Sequence, residues 1–251
     1  MRKKYSTNKL SENLIYLKLP WILENYEALA SEATQKPWSH VEFLGRLIEG
    51  ETILRSDRST ERRIKTARFP VQKTMEEFDW TWPKKINRPK VQNLFRMHFI
   101  EEHANIILLG GVGLGKTHLA IALGYQACLQ GYRTLFTSAA DIINTLSAAQ
   151  AAHRLKIELK KYLRPHLLIV DELGFMPIDK HGADLLFQVI SQRYEQGAII
   201  LTTNKAFSTW PSIFNNDSVV TSAILDRLLH HSEAVTIRGK SYRMKDRIDP
   251  A

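Results

Sequence analysis

A glycine-rich run occupies residues 110–117, with the sequence Gly-Gly-Val-Gly-Leu-Gly-Lys-Thr. It fits the pattern G-x-x-x-x-G-K-[ST]. The apolar run Asn105–Leu109 ahead of it predicts a buried strand, and the residues after it predict a helix. Glycines here let the backbone wrap around phosphates, so that its N–H groups and the helix N-terminus face the oxygens. The run therefore predicts a nucleotide-binding α/β domain. The alternative, an ordinary glycine-rich turn that happens to precede a helix, does not explain why Lys116 and Thr117 occupy the positions that the pattern requires.

Each polar residue of this run has a predicted role. Lys116 is expected to reach the β- and γ-phosphates, and the Thr117 hydroxyl is expected to ligate Mg²⁺. The expected ligands are thus ATP and Mg²⁺. The predicted nucleotide contacts are Gly110, Gly111, Val112, Gly113, Leu114, Gly115, Lys116, Thr117 and His118.

A pair of carboxylates follows a second apolar strand, Leu167–Val170. The carboxyl ends of the strands line the ligand crevice in this kind of fold, so Asp171 is placed to hold the magnesium ion directly or through water. Glu172 would polarise the water that attacks the γ-phosphate. An apolar strand before Asp-Glu is common by chance, but here it stands about fifty residues after a phosphate loop, which favours the functional interpretation.

Three further residues are weaker candidates when taken singly. Asn204, after the strand Ala198–Thr202, could orient the attacking water, or it could simply form a turn. Arg227 could pair with Asp226, or it could neutralise γ-phosphate charge in a neighbouring subunit. Arg243, after the last strand, is a further candidate phosphate contact.

The order of patterns along the chain predicts two domains. Residues 1–68 predict a small all-helical DNA- or partner-binding domain, 69–90 a Pro- and Trp-containing linker, and 91–251 a domain of alternating strands and helices with a parallel sheet. A capping box, Ser39–Glu42, opens the third helix of the first domain. The apolar residues predicted to face the core from this helix are Val41, Leu44, Leu47 and Ile48, continued by Ile53 and Leu54.

Charge favours a polyanion as partner. The net charge is +9, which favours DNA or RNA. Arg55, Arg58, Arg62 and Lys65 share one face of the third helix and predict phosphate contacts, although a solvated face paired with Glu51, Asp57 and Glu61 would give the same spacing. A second basic set, also predicted to contact DNA phosphates, ends the helix predicted from Ala139 to Tyr162; it comprises Arg154, Lys156, Lys160 and Lys161. No apolar run approaches the ~20 residues that span a membrane, and with Cys128 as the single cysteine the expected location is the cytoplasm.

Together and in this order, the motifs resemble those of AAA+ ATPases. They are most similar to the IstB-type transposition helper ATPases of bacterial insertion sequences, which are related to the DnaC and DnaI helicase loaders. The segments that carry the resemblance are Gly-Lys-Thr-His-Leu-Ala at 115–120, Asp-Glu-Leu-Gly-Phe at 171–175, Leu-Thr-Thr-Asn at 201–204, Asp-Arg-Leu-Leu-His at 226–230 and Arg-Gly-Lys-Ser-Tyr-Arg at 238–243.

The resemblance implies a fold and a set of roles. It implies a five-stranded parallel sheet of order 5-1-4-3-2 without a full helical lid, with residues 110–117 as the Walker A loop and Asp171 and Glu172 as Walker B. Asn204 would be the first sensor, Arg227 an arginine finger supplied in trans, and Arg243 the second sensor. The implied partners are double-stranded DNA, a transposase and further copies of this chain; no membrane is expected.

Other functions remain open at this point. A replicative helicase loader would share the nucleotide-binding core but usually carries a different N-terminal module. A P-loop phosphotransferase such as a nucleotide kinase does not need the set of Asp171, Glu172, Asn204 and a trans arginine. A nucleotide-gated DNA scaffold without turnover is disfavoured by an intact Glu172.

Overall fold

A computed structural model describes residues 7–244 of the chain. The chain divides into two compact units, Met1–Arg62 and Arg63–Ala251, and the boundary falls inside one long helix. In the part described, no helix is both long enough and apolar enough to cross a membrane.

The first unit is helical, as the sequence predicts. Its elements are α1 (Thr7–Tyr16), α2 (Pro20–Gln35) and the first part of α3 (His40–Ala67). Leu14, Ile22 and Leu47 form its small core. The predicted capping residue is confirmed, since the Glu42 N–H donates to Ser39 Oγ at 3.1 Å.

The prediction for the apolar face of α3 is wrong for most of its residues. Leu47 is buried as predicted and Leu54 is partly buried, whereas the side chains of Val41, Leu44, Ile48 and Ile53 are at least half exposed. Besides Leu47, the apolar residue of α3 that packs against the core formed with α1 and α2 is Phe43. Helical spacing shows which residues share a face, but it does not show how much of that face finds a partner.

A buried carboxylate joins α3 to α2. Glu51 of α3 accepts hydrogen bonds from the N–H groups of Trp21 (2.9 Å) and Ile22 (3.3 Å) in the first turn of α2. No side-chain cap is supplied by Leu19, so Glu51 satisfies donors that would otherwise lack an acceptor. Arg55 pairs with Glu51 at 3.1 Å and donates to the Lys18 carbonyl at 2.7 Å. Arg55, one of the four α3 residues predicted to contact phosphates, therefore stabilises the first unit through these two contacts.

The second unit is an α/β domain with a five-stranded sheet. The neighbouring strands lie in the order β2-β3-β4-β1-β5, which confirms the expected order, and all of them pair in parallel. The strands are β1 (Asn105–Gly110), β2 (Thr134–Ser138), β3 (Leu167–Leu173), β4 (Ala198–Thr203) and β5 (Ser232–Ile237). The helices are the end of α3, then α4 (Arg88–Leu94), α5 (His98–Glu101), α6 (Lys116–Leu129), α7 (Ala139–Ala151), α8 (Leu155–Leu163), α9 (Lys180–Arg193) and α10 (Ser218–Leu229).

Helices cover both faces of the sheet. Alternate residues of β1 point to opposite sides, so that Ile106 and Leu108 pack with Leu119 of α6 while Ile107 packs with the cluster of α7, α9 and α10. Strands buried on both faces read as continuous apolar runs, which is why the sequence revealed them. All their carboxyl ends consequently lie at one edge of the sheet.

One predicted helix is two helices. The chain predicted as a single helix from Ala139 to Tyr162 breaks between α7 and α8, where His153 adopts φ +54°. The Arg154 N–H then donates to the Ala149 carbonyl at 2.7 Å, which closes the end of α7. Neither glycine nor proline marks the break, so it could not be predicted from residue type.

The segment that the sequence assigns to a linker, residues 69–90, belongs to the second compact unit. Phe78 is buried there, and Phe69, Trp80 and Ile86 pack against the same apolar cluster. This segment consequently forms part of the surroundings of the phosphate loop.

Candidate nucleotide site

The glycine-rich loop connects β1 to α6 in the conformation that the pattern requires. Gly113 and Gly115 have φ values of +74° and +85°, a region that favours glycine. A Cβ atom on Gly113 would lie 2.1 Å from Ser241 Oγ, and one on Gly115 would lie 2.6 Å from the ring of Phe78. Conformation and close packing thus both require glycine at these two positions.

Lys116 begins α6 and lies across the loop. Its Nζ donates to the Gly111 carbonyl at 2.7 Å. Burial lowers the pKa of the Lys116 ammonium, and the Arg243 guanidinium lowers it further, while the carboxylates of Asp171 and Glu172 act in the opposite direction. The two cations and two carboxylates therefore act on one another electrostatically around this loop.

The carboxylates at the end of β3 have different environments. Asp171 is buried and accepts from Thr117 Oγ1 at 3.0 and 3.1 Å, and from Thr202 Oγ1 at 2.5 Å. The Thr202 hydroxyl also accepts from the Glu172 N–H at 2.9 Å. Glu172 is exposed and has φ +61°, so its side chain is accessible to solvent beside the buried aspartate. Thr202 was not among the residues predicted from the sequence.

Asn204 follows β4, next to β3 in the sheet. Its Oδ1 atom is buried and has no hydrogen-bond partner among residues 7–244. Leaving a buried amide oxygen unsatisfied costs about 1–3 kcal/mol. This atom is therefore able to accept a hydrogen bond from a bound molecule.

A cavity of about 350 Å³ adjoins the loop. One wall comes from the segment before α4 and another from the residues after β5. The Tyr242 N–H donates to the Gly113 carbonyl at 2.8 Å, and Trp82 Nε1 donates to the Lys240 carbonyl at 2.9 Å. The lining residues include Lys73, Glu77, Phe78, Asp79, Trp82, Pro83, Leu114, Lys116, Thr117, His118, Tyr242 and Arg243.

His118 and Arg243 both line this cavity. The His118 Nε2 atom lies 2.9 Å from the Thr74 carbonyl, and its ring packs edge-on against Phe78. This contact joins the segment before α4, which forms one wall of the cavity, to the first turn of α6. The aromatic and backbone groups of the wall suit a flat heterocycle, a feature that the motifs alone did not reveal.

Arg227 makes its observed contacts outside this cavity. In α10 its Nε donates to Ser191 Oγ at 3.2 Å, its Nη1 donates to the Ala223 carbonyl at 3.0 Å, and the guanidinium stacks 4.9 Å from the ring of Phe187. These contacts orient the side chain. No ion pair with Asp226 is present within the described range.

The oxygen ligands at the loop fit a hard divalent cation. Mg²⁺ prefers hydroxyl, carboxylate and water oxygens, and the Thr117 hydroxyl and Asp171 carboxylate already lie within hydrogen-bond distance of each other. With the glycine loop beside them, these two groups are the ones that would hold the metal ion of a bound nucleotide.

The predicted DNA-contacting residues are mostly exposed. Arg58, Arg62 and Lys65 are exposed on α3, and Arg55 is engaged with Glu51. In the second unit, Arg154, Lys156 and Lys160 are exposed and Lys161 is half-buried, with its ammonium 5.3 Å from the Tyr162 ring centroid. Exposure makes these side chains accessible without assigning them a ligand.

Comparison with known proteins identifies the family. The model of the IstB-like ATP binding protein family matches residues 12–249. The chain belongs to this family. It is 41% identical to the putative ATP-binding protein of insertion sequence IS5376 from Geobacillus stearothermophilus, over 92% of each chain. It is also 41% identical to the corresponding protein of insertion sequence IS21 from Pseudomonas aeruginosa, over 96% of this chain and 90% of that protein.

Solved structures confirm the AAA+ fold. The DnaC helicase loader superimposes with a TM-score of 0.54 at 22% identity, over 66% of this chain and 96% of that one. DnaI gives a TM-score of 0.57 at 16% identity, over 69% and 93% of the two chains. The replication initiator DnaA bound to AMPPCP and single-stranded DNA gives 0.54 at 23% identity, over 68% and 52%. The family member described here thus shares the fold of replication AAA+ proteins.

Proposed function

We propose that this IstB-like protein is a DNA-dependent AAA+ ATPase that assembles on target DNA and recruits or activates the transposase of an insertion sequence. The observation that carries the ATPase part is the connected array of Thr117, Asp171, Thr202 and Glu172 beside Lys116. A hydroxyl and a buried carboxylate suited to a metal ion, an exposed carboxylate and a cation lie around one glycine loop, which supports this part of the proposal. The names of the relatives, which are ATP-binding proteins of insertion sequences, support the role in transposition.

The chemistry follows from what each side chain can do. Magnesium, when bound with ATP, supplies neutralisation of the phosphate charge. Lys116 would exchange the Gly111 carbonyl for phosphate oxygens. Glu172 would accept the proton of a water whose oxygen bonds to the γ-phosphorus, as the bond from that phosphorus to the β–γ bridging oxygen breaks. The unsatisfied Oδ1 of Asn204 would orient that water.

Two arginines would stabilise the negative charge of the transition state. Arg243 lines the cavity of its own chain and would contact phosphate there. Arg227 makes its contacts in α9 and α10, so we infer that it acts on the ATP of an adjacent copy. A trans arginine of this kind contributes roughly 10³–10⁵-fold to turnover in related phosphoryl transfers.

The decisive test of the ATPase part separates binding from turnover. Glu172→Gln should bind ATP normally but hydrolyse it about 10²-fold or more slowly, because an amide cannot take the proton. Lys116→Ala should instead weaken binding of the triphosphate. Glu102→Gln, which neutralises an exposed carboxylate outside the cavity, serves as the matched control. Turnover by Glu172→Gln at the wild-type rate would remove this residue from the mechanism.

Assembly is tested by mixing two inactive variants. If Arg227 acts in trans, specific activity rises with protein concentration and with duplex DNA. Arg227→Ala and Lys116→Ala proteins, each inactive alone, should recover turnover when combined, since one shared interface then has both functional halves. Activity in a demonstrably monomeric sample that does not depend on concentration would contradict this arrangement.

The partner is tested separately, because a replicative helicase loader of the DnaC or DnaI type would share the ATPase chemistry. With ATP and duplex DNA, the purified protein should retain the transposase of its own insertion sequence and stimulate strand transfer. Retention of a replicative helicase, without any effect on the transposase, would favour the loader instead.

A further inference from the structure

A basic cleft lies at the edge of the sheet opposite the phosphate loop. Arg133 directly precedes β2, and Pro165 and His166 directly precede β3, so the cleft adjoins the amino ends of these parallel strands. Its volume is about 220 Å³, and all of its lining belongs to the second unit: Thr66, Arg68, Arg133, Thr134, Leu135, Lys161, Arg164 and Pro165. It is thus separate from the nucleotide cavity, with which it shares no residue.

The charged residues that line the cleft are all cations. Arg68, Arg133, Lys161 and Arg164 contribute four cations, and the lining contains no carboxylate. None of the four forms an ion pair within residues 7–244. The one hydrogen bond recorded between members of the set runs from Arg133 Nη2 to the Arg164 backbone carbonyl at 3.1 Å, so it neutralises neither charge. Four like charges around one small cleft repel each other, and an anionic ligand would relieve that repulsion.

Arg68 has a backbone conformation that residues other than glycine seldom adopt. It is the first residue after α3 and has φ +62°, in the left-handed region that glycine adopts without steric cost. Glycine is the usual residue at such a helix end. An arginine here brings a long cationic side chain to the cleft at some cost in local conformational energy.

We propose that this cleft binds the sugar-phosphate backbone of duplex DNA. The proposal rests on the proposed DNA-dependent function and adds to it a contact at the amino edge of β2 and β3. Guanidinium groups bind phosphate oxygens through paired N–H donors, and such contacts position DNA without reading its sequence. Lys161 belongs both to the cleft and to the basic last turn of α8, which also carries the exposed Lys160.

The test compares two triple variants of the full-length protein that remove equal charge. Arg68→Gly, Arg133→Gln and Arg164→Gln empty the cleft of three of its cations. Arg96→Gln, Lys180→Gln and Lys205→Gln remove three exposed cations from outside it. Binding to a fluorescent duplex is measured by anisotropy over a range of salt concentrations. Each lost phosphate contact lowers the slope of log K against log salt by about 0.9. We expect the cleft variant to lose roughly two to three units of slope, and the control variant to lose clearly less.

A second measurement separates a ligand-binding role from a structural one. Arg68→Gly relieves an unfavourable backbone conformation, so its melting temperature should equal or exceed that of the wild type while its DNA affinity falls. A lower melting temperature, or equal salt slopes for the two triple variants, would overturn the cleft proposal and leave the DNA-dependent function intact. Failure of the wild type itself to bind the duplex would overturn both.

Discussion

Replacing Thr202 by valine is expected to disturb both carboxylates of the site at once. The Thr202 side chain is fully buried, donates to Asp171 Oδ1 at 2.5 Å and accepts from the Glu172 N–H at 2.9 Å. Valine has nearly the same shape, so the packing remains and only the two hydrogen bonds are lost. The substitution is therefore a direct measure of what this hydroxyl contributes.

The magnitude follows from the groups left behind. A hydrogen bond to a charged group contributes about 1.5–3 kcal/mol, and a buried donor left without an acceptor costs about 1–3 kcal/mol. Asp171 keeps the Thr117 hydroxyl as a donor and the Glu172 N–H is only partly buried, so both contributions lie towards the lower end of their ranges. We expect Thr202→Val to lower the free energy of unfolding of the second unit by roughly 2–4 kcal/mol.

Urea unfolding followed by tryptophan fluorescence, to which the buried Trp210 contributes together with the four other tryptophans, measures this loss. Thr203→Val is the matched control, since Thr203 is equally buried and its hydroxyl accepts only one bond, from the Lys205 N–H at 3.2 Å. Thr202→Ser should restore most of the stability. Because Thr202 acts through the carboxylates, its loss should lower kcat for ATP more than it raises KM. Equal unfolding free energies for the two valine variants would refute the reasoning.

Two further predictions concern the loop. Gly115→Ala should abolish ATP binding, measured by fluorescence of a labelled nucleotide, because its φ is +85° and its Cβ would lie 2.6 Å from the ring of Phe78; normal binding would contradict this packing. ATP affinity should be full at neutral pH, and its decline at alkaline pH should begin at a lower pH than for a lysine with an ordinary pKa. The reason is that burial lowers the pKa of Lys116, and a triphosphate binds its protonated form. Arg243 also lowers that pKa, so Arg243→Gln should move the decline to higher pH while weakening binding overall, and an unmoved decline would show that Lys116 does not control it.

Local sequence patterns predicted the second unit well because its strands are buried on both faces. Such strands are short, apolar runs ended by glycine or polar residues, as at Leu167–Val170 before Asp171. The order of the strands came from the family resemblance, since periodicity carries no information about which strands are neighbours. The break at His153 was missed because a left-handed residue other than glycine leaves no mark in the sequence.

The first unit shows the opposite case. The spacing of Arg55 and Glu51 on α3 was consistent with a surface ion pair, but the structure places Glu51 under the N-terminus of α2. That position depends on how two helices cross and on Gly50, whose missing side chain makes room for the ring of Trp21. Helical periodicity cannot predict contacts of this kind.

The nucleotide site divides in the same way between local and distant contributions. Most of the proposed site residues within the motifs could be predicted because each motif is contiguous and its chemistry demands particular residue types. Thr202 escaped prediction although it lies within a motif, since a central strand buried on both faces gives no sign of which side chain points at Asp171. Phe78, Trp82 and Tyr242 come from distant segments that only the fold brings together.

The wall of the nucleotide cavity is a single structure made from two ends of the second unit. Lys85 and Arg238 exchange backbone hydrogen bonds of 3.0 and 2.9 Å, so the segment before α4 and the segment after β5 pair as a short antiparallel bridge. The first segment contacts α6 through Thr74 and His118, and the second contacts the loop through Tyr242 and Gly113. A shift of the loop on phosphate binding would therefore move both segments together. Because Arg243 follows directly after Tyr242, the position of this cation depends on the same bridge, and the cavity wall and the proposed phosphate contact would respond to nucleotide as one unit.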